Sequence, residues 1–305
     1  MGAKILVIGS SNTDMTVSAK SFPQKGETII GGSFRMGQGG KGANQAVAAK
    51  KLGGDVSFVC KVGRDMFGQN SLAKYREVGL DISRILYSDL PSGVAIITLN
   101  ENAENTIVVA SEANLDFTVE DVESISDLIR QSDILLLQFE IPIASVLHAA
   151  KIANEAGVRV IINPAPATEI PNELLRYTSL LIPNECEAST LSGIQINDIE
   201  TAREASRILR ANGAENIIIT LGSNGSLLFD TEEHLVPAYK VTAVDTVAAG
   251  DTFCGGVCVA LSEGKSLYDA VHFATAASAI AVTRSGAQES IPSREEVERL
   301  LNGGL

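Results

Sequence analysis

Short runs of consecutive apolar residues alternate along this chain with longer stretches in which apolar positions recur at helical spacing. Apolar runs bounded by turn residues are the mark of strands buried on both faces of a parallel sheet. They predict strands over Lys4–Ile8, Val56–Val62, Ile134–Gln138, Val158–Asn163, Leu180–Pro183 and Asn216–Leu221. The stretches between them predict helices over Gly42–Leu52, Gly68–Val78, Val119–Arg130, Ile143–Ala156 and Ile199–Ala211. Three more follow toward the C-terminus: Phe253–Glu263, Leu267–Thr283 and Arg294–Leu300. Thr118, with Asp121 three residues on, and Asp198, just before Ile199, carry the side-chain acceptors that cap helix N-termini. Strand–helix alternation of this kind predicts an α/β fold with a mostly parallel sheet.

Two segments break the rhythm. Met15–Met36 holds the short alternating runs Met15–Ala19 and Thr28–Phe34, joined through Pro23 and Gly26. Ser92–Ala110 holds Val94–Leu99 and Thr106–Val109, joined by a polar link that reads as a hairpin turn. Together they predict a small second sheet projecting from the main body. So thin a sheet needs cover on its second face, from a substrate or a second subunit. A plain surface hairpin is the alternative.

Composition narrows the function. The 305 residues are 45% hydrophobic and 20% charged, an ordinary soluble balance, and the formal net charge of −13 speaks against nucleic acid or an anionic membrane as partner. Cys60, Cys186, Cys254 and Cys258 form no C-x-x-C pair, and Cys254 and Cys258 share one helix face as small core residues. His148, His234 and His272 fit no metal-ligand spacing. No apolar stretch approaches the roughly 20 residues of a membrane span, and Ile5–Ile8 is a strand rather than a leader, so a reduced, cytoplasmic setting is expected.

The richest chemistry lies in Asp245-Thr-Val-Ala-Ala-Gly-Asp251, which opens the apolar helix at Phe253. Small residues at a helix start leave backbone N–H groups uncovered at the positive end of the dipole, where an anion can sit. An acid there points to proton removal from a nucleophile attacking that anion. Gly37-Gln-Gly-Gly-Lys-Gly-Ala-Asn44 matches G-x-G-x-x-G, with Asp65 at the spacing of a dinucleotide-binding acid. No central strand immediately precedes it, however, and Gly42 after Lys41 excludes a Walker A loop. Lys41 and Asn44 on this scaffold suit a polyhydroxylated ligand. Asn12 and Asp14 alternate on one side of an extended segment after the first strand, either to bind hydroxyls or to shape an Asx turn. Asn184 and Glu187 read equally as a capping box and as supports for a hydrated magnesium. Thr220 to Gly225 forms a glycine turn between strands.

These motifs resemble the ribokinase family of carbohydrate kinases over essentially the whole chain. GGKGANQAVAA and DTVAAGDTF carry the likeness, joined by SSNTD near the start, NPAPA at 163–167, PNE at 183–185 and TLGSNG at 220–225. Cys254 departs from the asparagine or small residue common in relatives. The resemblance implies a three-layer α/β/α fold in one domain, with a mostly parallel central sheet and a small β-sheet lid built from about 14–36 and 92–110, and a homodimer joined through the lids. It implies ATP-dependent phosphorylation of D-ribose at O5, giving ribose 5-phosphate and ADP. Asp251 would be the base, and the N–H groups of Ala248, Ala249 and Gly250 the anion hole. Asn12, Thr13, Asp14, Gly40, Lys41, Gly42, Ala43, Asn44 and Glu140 would surround ribose, together with Asp251. Asn184, Thr220, Leu221, Gly222, Ser223, Asn224, Gly225 and Thr275 would line the nucleotide site with Gly250 and Asp251. Asn184 and Glu187 would hold Mg2+ through water. A K+ ion would be ligated by Asp245, Val247, Ala281, Arg284, Gly286 and Ser290. Alternatives are a family kinase acting on 2-deoxyribose, fructose or a nucleoside, a non-catalytic sugar-binding relative, and a dinucleotide-dependent oxidoreductase.

Overall fold

In the computed structural model, which describes residues 2–102 and 104–303, the first apolar run forms β1 (Lys4–Ile8), buried from Ile5 onward. The chain continues through β2 (Asn12–Ser18) and β3 (Phe34–Gly39) into α1 (Lys41–Lys51). Then come β4 (Asp55–Val59), β5 (Lys61–Gly63), α2 (Met66–Val78), β6 (Leu86–Ser88), β7 (Gly93–Leu99) and β8 (Asn105–Ala110). A 3-10 turn at Glu112–Asn114 leads to α3 (Val119–Ser124), α4 (Ser126–Arg130), β9 (Ile134–Leu137), α5 (Ile143–Glu155) and β10 (Arg159–Ile162). Next are α6 (Asn172–Arg176), β11 (Leu180–Leu181), α7 (Glu185–Ser192), α8 (Ile199–Ala211) and β12 (Asn216–Thr220). The chain closes with β13 (Ser226–Phe229), β14 (Glu233–Val236), α9 (Ala249–Ser262), α10 (Leu267–Ala281) and α11 (Arg294–Leu301).

Eight strands form one sheet in the order β14-β13-β12-β11-β10-β9-β1-β4. It is parallel except at one edge, where β13 and β14 run antiparallel. Successive side chains of a strand point to opposite faces, so each strand feeds two cores. Ile5 and Val7 pack with Val47, Phe253 and Ala274 from α1, α9 and α10. Leu6 and Ile8 pack with Val146, Ala150 and Leu209 from α5 and α8. Three layers result. The caps at Thr118 and Asp198 are both present as side-chain acceptors from residues three positions on.

The structure corrects several boundaries. The predicted strand Val56–Val62 breaks at Cys60: β4 joins the large sheet, whereas β5 pairs with β6 in a separate two-stranded sheet. The helix predicted over Val119–Arg130 is two helices meeting at Ile125. Thr28–Phe34 is not a strand. Gly31 and Gly32 have φ of 124° and 98°, and a Cβ on Gly32 would lie 1.4 Å from the Ser18 carbonyl oxygen. These left-handed glycines end the extended run, so Ile30 stands 96% exposed and pairing begins at Phe34 opposite Val17.

The second sheet has the order β3-β2-β7-β8, built from the two irregular segments as the alternation predicts. The hairpin β7–β8 is present, and its predicted turn includes position 103, outside the described residues. Register places Met36, Met15, Ile96 and Val108 on one face, with Val17 and Phe34 alongside, and Asp14, Ala95 and Val109 on the other. Phe34, Met36, Ile96 and Val108 are exposed.

Candidate active site

The carboxyl ends of the central strands meet two helix starts. Between β1 and β2 the chain passes Gly9, Ser10 and Ser11, directly against the beginning of α1. Glu140, just beyond β9, ties the two together: its Oε2 accepts from the Ser10 hydroxyl at 2.6 Å and from the Lys41 N–H at 2.9 Å. The approach is close enough to require glycine. A Cβ on Gly42 would lie 2.6 Å from Gly9 C and Ser10 N, and Gly40 has φ of 88° with Asn12 N 2.8 Å from its Cβ position. The G-x-G-x-x-G run thus begins within β3 of the small sheet and serves helix–strand contact. Asp65 is used elsewhere. It caps α2, accepting from the N–H of Gly68 and from both the N–H and the hydroxyl of Ser92, and this removes the acid that the dinucleotide reading needs.

Asn12 and Asp14 share one side of β2, as strand periodicity requires. Thr13 points to the opposite face, and its hydroxyl is buried without a partner. Ala43 is fully buried, and its N–H donates to Ser10 O at 2.9 Å. Neither side chain of this pair is presented to the cleft; both contribute packing or backbone. Asp14 is pushed up to about 7, first by desolvation and then by Glu140, Glu289 and Asp251. Lys41 loses hydration by burial, but the charges of Asp251, Glu140 and Glu187 outweigh that loss and raise its pKa.

On the other wall, α9 starts at a left-handed residue. Ala248 has φ 59° and ψ 9°, a conformation that costs a non-glycine residue of order 1–3 kcal/mol and clusters at functional sites. The turn leaves the N–H groups of Ala248, Gly250 and Asp251 without backbone acceptors, whereas that of Ala249 is directed to Thr246 O at 3.2 Å. Asp251 follows in the first turn and is 7% exposed. Its Oδ2 accepts from Asn44 Nδ2 and its Oδ1 from Gln45 Nε2, both at 3.0 Å. Desolvation raises its pKa, opposed by Lys41, Asn44 and Gln45 and assisted by Glu140. Asn44 is committed at both ends, since Gln288 Nε2 donates to its Oδ1 at 3.2 Å.

Between these walls lies a cleft of about 190 Å³ lined by Lys41, Asn163, Asn184, Glu187, Thr220, Thr246, Ala248, Gly250, Asp251 and Cys254, among others. Cys254 is buried one turn beyond Asp251 and forms part of its floor. Asn184 caps α7 in a full capping box with Glu187 and bridges Thr220 of β12. The capping reading of that pair is present in the structure, and both residues also line the cleft. Desolvation raises the pKa of Glu187, with the Asn184 N–H and Lys41 acting against it. Among the described residues no three His, Cys, Asp or Glu side chains gather as a metal cage. One carboxylate beside one amide is the donor set that suits a magnesium held largely by water and phosphate.

Gly222–Asn224 forms a 3-10 turn between β12 and β13. Leu221 is buried there, while Gly222, Ser223 and Asn224 are exposed, and Gly225 takes φ 91° against Val236 O. Thr275 does not line the cleft; its hydroxyl donates to Val271 O within α10. Behind the α9 start, Asp245 accepts from the Val247 N–H through Oδ1 and from the Gly286 N–H through Oδ2, each at 3.0 Å. This clamp joins the two segments whose carbonyls and carboxylate would hold potassium. Ala281 O accepts from the Arg284 N–H, the Arg284 guanidinium pairs with Glu296, and the buried Ser290 hydroxyl donates to Ala287 O at 2.8 Å.

Several residues at the site carry no pattern that sequence reading could use. Asn114, in the 3-10 turn after β8, accepts from the Ser11 N–H and donates to Asn12 Oδ1 at 2.7 Å. That contact fixes Asn12 Oδ1 as the acceptor and so the other end of the amide as the NH2 donor. Gln45 and Gln288 reach the site from inside a helix and from a loop. Gln45 lies within GGKGANQAVAA and Gln288 within the run Thr283–Ser290 that supplied potassium ligands, but neither was read as a site residue.

A family model for the pfkB family carbohydrate kinases matches residues 3–294. A ribokinase of Haemophilus influenzae is 40% identical over 303 residues, covering 99% of both chains. A deoxyribokinase of Salmonella typhi is 35% identical over 304 residues, covering 98% of both. The solved structure of Arabidopsis thaliana ribokinase complexed with ribose and ATP superposes with a TM-score of 0.91 at 34% identity, covering 99% of both chains. The chain belongs to the pfkB family of carbohydrate kinases.

Proposed function

We propose that this protein transfers the γ-phosphoryl group of ATP to the 5-hydroxyl of D-ribose. The observation that carries the reading is Asp251: a buried carboxylate at a left-handed helix start, held by Asn44 and Gln45 of α1, the helix whose first N–H is tied to Glu140. The relatives named ribokinase and the ribose- and ATP-bound neighbour support it. Asp14, Glu140 and the Asn12 NH2 hold the sugar hydroxyls. Asp251 takes the proton of the attacking hydroxyl as its oxygen bonds to phosphorus and ADP leaves. The N–H groups of Ala248 and Gly250 meet the charge on the transferred group; one such donor is worth on the order of 3 kcal/mol. Phosphoryl transfer is largely positioning and charge stabilisation, which these parts supply.

When bound, magnesium neutralises the phosphates, with Asn184 and Glu187 as its water-mediated supports. Asp245 would hold a potassium ion beside the anion-hole loop, and that charge would stiffen the loop. The small sheet acts as a lid, its Asp14 face toward the sugar, and its exposed Phe34, Met36, Ile96 and Val108 pack on the lid of a second copy in a homodimer. A monomeric mass at micromolar concentration in sedimentation would rule that dimer out. The three buried cysteines and one exposed cysteine, all free, suit a reducing cytoplasm. No helix among the described residues is long and apolar enough to cross a membrane.

The deoxyribokinase relative favours 2-deoxyribose as the second reading. Coupled ADP release across ribose, 2-deoxyribose, fructose and adenosine decides between them. Ribose should give the highest kcat/KM, and turnover should rise when potassium replaces sodium. A higher kcat/KM on another acceptor overturns the ribose assignment, and equal rates in sodium, potassium and caesium overturn the cation role.

Asp14 adds a pH signature. As an acid raised to about 7, it is the carboxylate, able to accept two hydroxyl hydrogen bonds, only above that pH. Ribose affinity measured without nucleotide should therefore weaken about tenfold from pH 8 to pH 6, one pKa unit below its midpoint. Asp14→Asn should make the affinity low and flat. A flat wild-type profile removes Asp14 from hydroxyl recognition.

A further inference from the structure

We propose that Gln45 is a positioning residue for the proton acceptor Asp251, held in one orientation by a chain of buried amides that starts at a main-chain carbonyl. The inference rests on the reading of Asp251 as base. Ile182 O, just past β11, can only accept, so the 2.9 Å contact with Asn163 fixes the Asn163 NH2 toward it. Asn163 Oδ1 therefore faces Gln45 and accepts from its Nε2 at 3.0 Å. The second hydrogen of that same Nε2 goes to Asp251 Oδ1. Gln45 Oε1, left on the far side, accepts from Gln138 Nε2 at 2.6 Å. Polarity runs one way, from a carbonyl to a carboxylate, and no flip of the Gln45 amide satisfies both ends.

The chain also ties the base to the sheet. Gln138, Asn163 and Ile182 stand at the carboxyl ends of the adjacent strands β9, β10 and β11. Gln45 and Gln138 are fully buried and Asn163 is 8% exposed. Gly9 leaves the room this requires: a Cβ there would lie 2.0 Å from Gln138 Oε1. The NPAPA motif begins at Asn163, and this is a use for its first residue. Two consequences follow for Asp251. Its carboxylate plane is fixed by donors on both oxygens, Asn44 on one and Gln45 on the other. The Gln45 hydrogen bond also favours the ionised form that burial opposes.

The test is the pH profile of kcat at saturating ribose and ATP for Gln45→Met, which keeps the volume and removes the donor. The acid limb should move up by roughly one to two pH units, the worth of one hydrogen bond to a carboxylate. Turnover should fall about five- to fifty-fold at the wild-type midpoint and recover above it, with KM for ATP unchanged. Asn163→Leu, which frees the Gln45 amide to turn, should move the limb in the same direction by less. If Gln45→Met does not fold, Asn163→Leu carries the test alone. An unmoved limb, whether turnover is intact or lowered equally at every pH, overturns the positioning role. Failure of the underlying reading is seen separately: substantial turnover by Asp251→Asn would show that there is no base at 251 to position.

Discussion

Replacing Asp251 with asparagine should lower turnover by about 10³–10⁴-fold, at the upper end of what a positioned general base contributes, while ribose still binds. The asparagine side chain fits the same space and keeps one acceptor, but it takes no proton from the attacking hydroxyl. It also sets an NH2 group against a donor, because Asn44 and Gln45 both point N–H groups at this side chain. That mismatch costs roughly 1–3 kcal/mol of stability for a buried unpaired group. Asn12, Asp14 and Glu140, proposed to hold ribose, lie on other elements and are untouched. Single-turnover phosphorylation with titration of ribose by calorimetry separates the two effects. Turnover above a tenth of wild type would remove Asp251 from proton transfer.

Gly42→Ala should damage both stability and activity, although it adds only one methyl group. Helix propensity alone predicts a gain of about 1 kcal/mol, since position 42 lies in the first turn of α1 and alanine is the better helix former. Packing reverses the sign. The new methyl would stand 2.6 Å from Gly9 C and Ser10 N, both main-chain atoms at the end of β1, which is hydrogen-bonded on both sides. Neither neighbour is a side chain that can rotate away, so α1 must move. Overpacking of this kind costs typically 1–3 kcal/mol. Function should suffer more, because Lys41, Asn44 and Gln45 all ride on α1 and a displacement of about 1 Å can cost 10²-fold. We expect kcat/KM to fall at least that far, with a lower melting temperature. A stabilised, fully active variant would show that the strand–helix contact is looser than the structure has it.

Periodicity located the central strands, most helices and both caps because those features depend on neighbouring residues alone. Its errors have tertiary causes. Nothing in Val56–Val62 says that Cys60 is where the chain leaves one sheet for another; the partner of β5 is β6, distant in sequence. Thr28–Phe34 alternates like a strand, but two left-handed glycines interrupt it, so pairing with β2 starts only at its end, where the Ser18 N–H meets Ser33 O and Phe34 faces Val17. At the site, residues within short motifs were legible: Asp251, Lys41, Asn184 and the turn at Thr220. Asp65 was legible too, but for the wrong reason, since an N-cap and a ribose ligand are the same residue type after a strand.

By itself, then, the sequence determined an α/β fold with a mostly parallel sheet and an acid, Asp251, at a helix start of small residues, because local patterns of small, acidic and apolar residues suffice for that; the kinase family came from the resemblance of whole motifs. The tertiary structure alone decided how Asp251 is held. Asn44 and Gln45 from α1, Asn163 and Gln138 from strand ends, and Asn114 behind Asn12 meet across separations of about a hundred residues or more in most of these pairs. Hydrogen-bond direction between buried amides depends on which atoms face each other, and only the folded chain brings those atoms together.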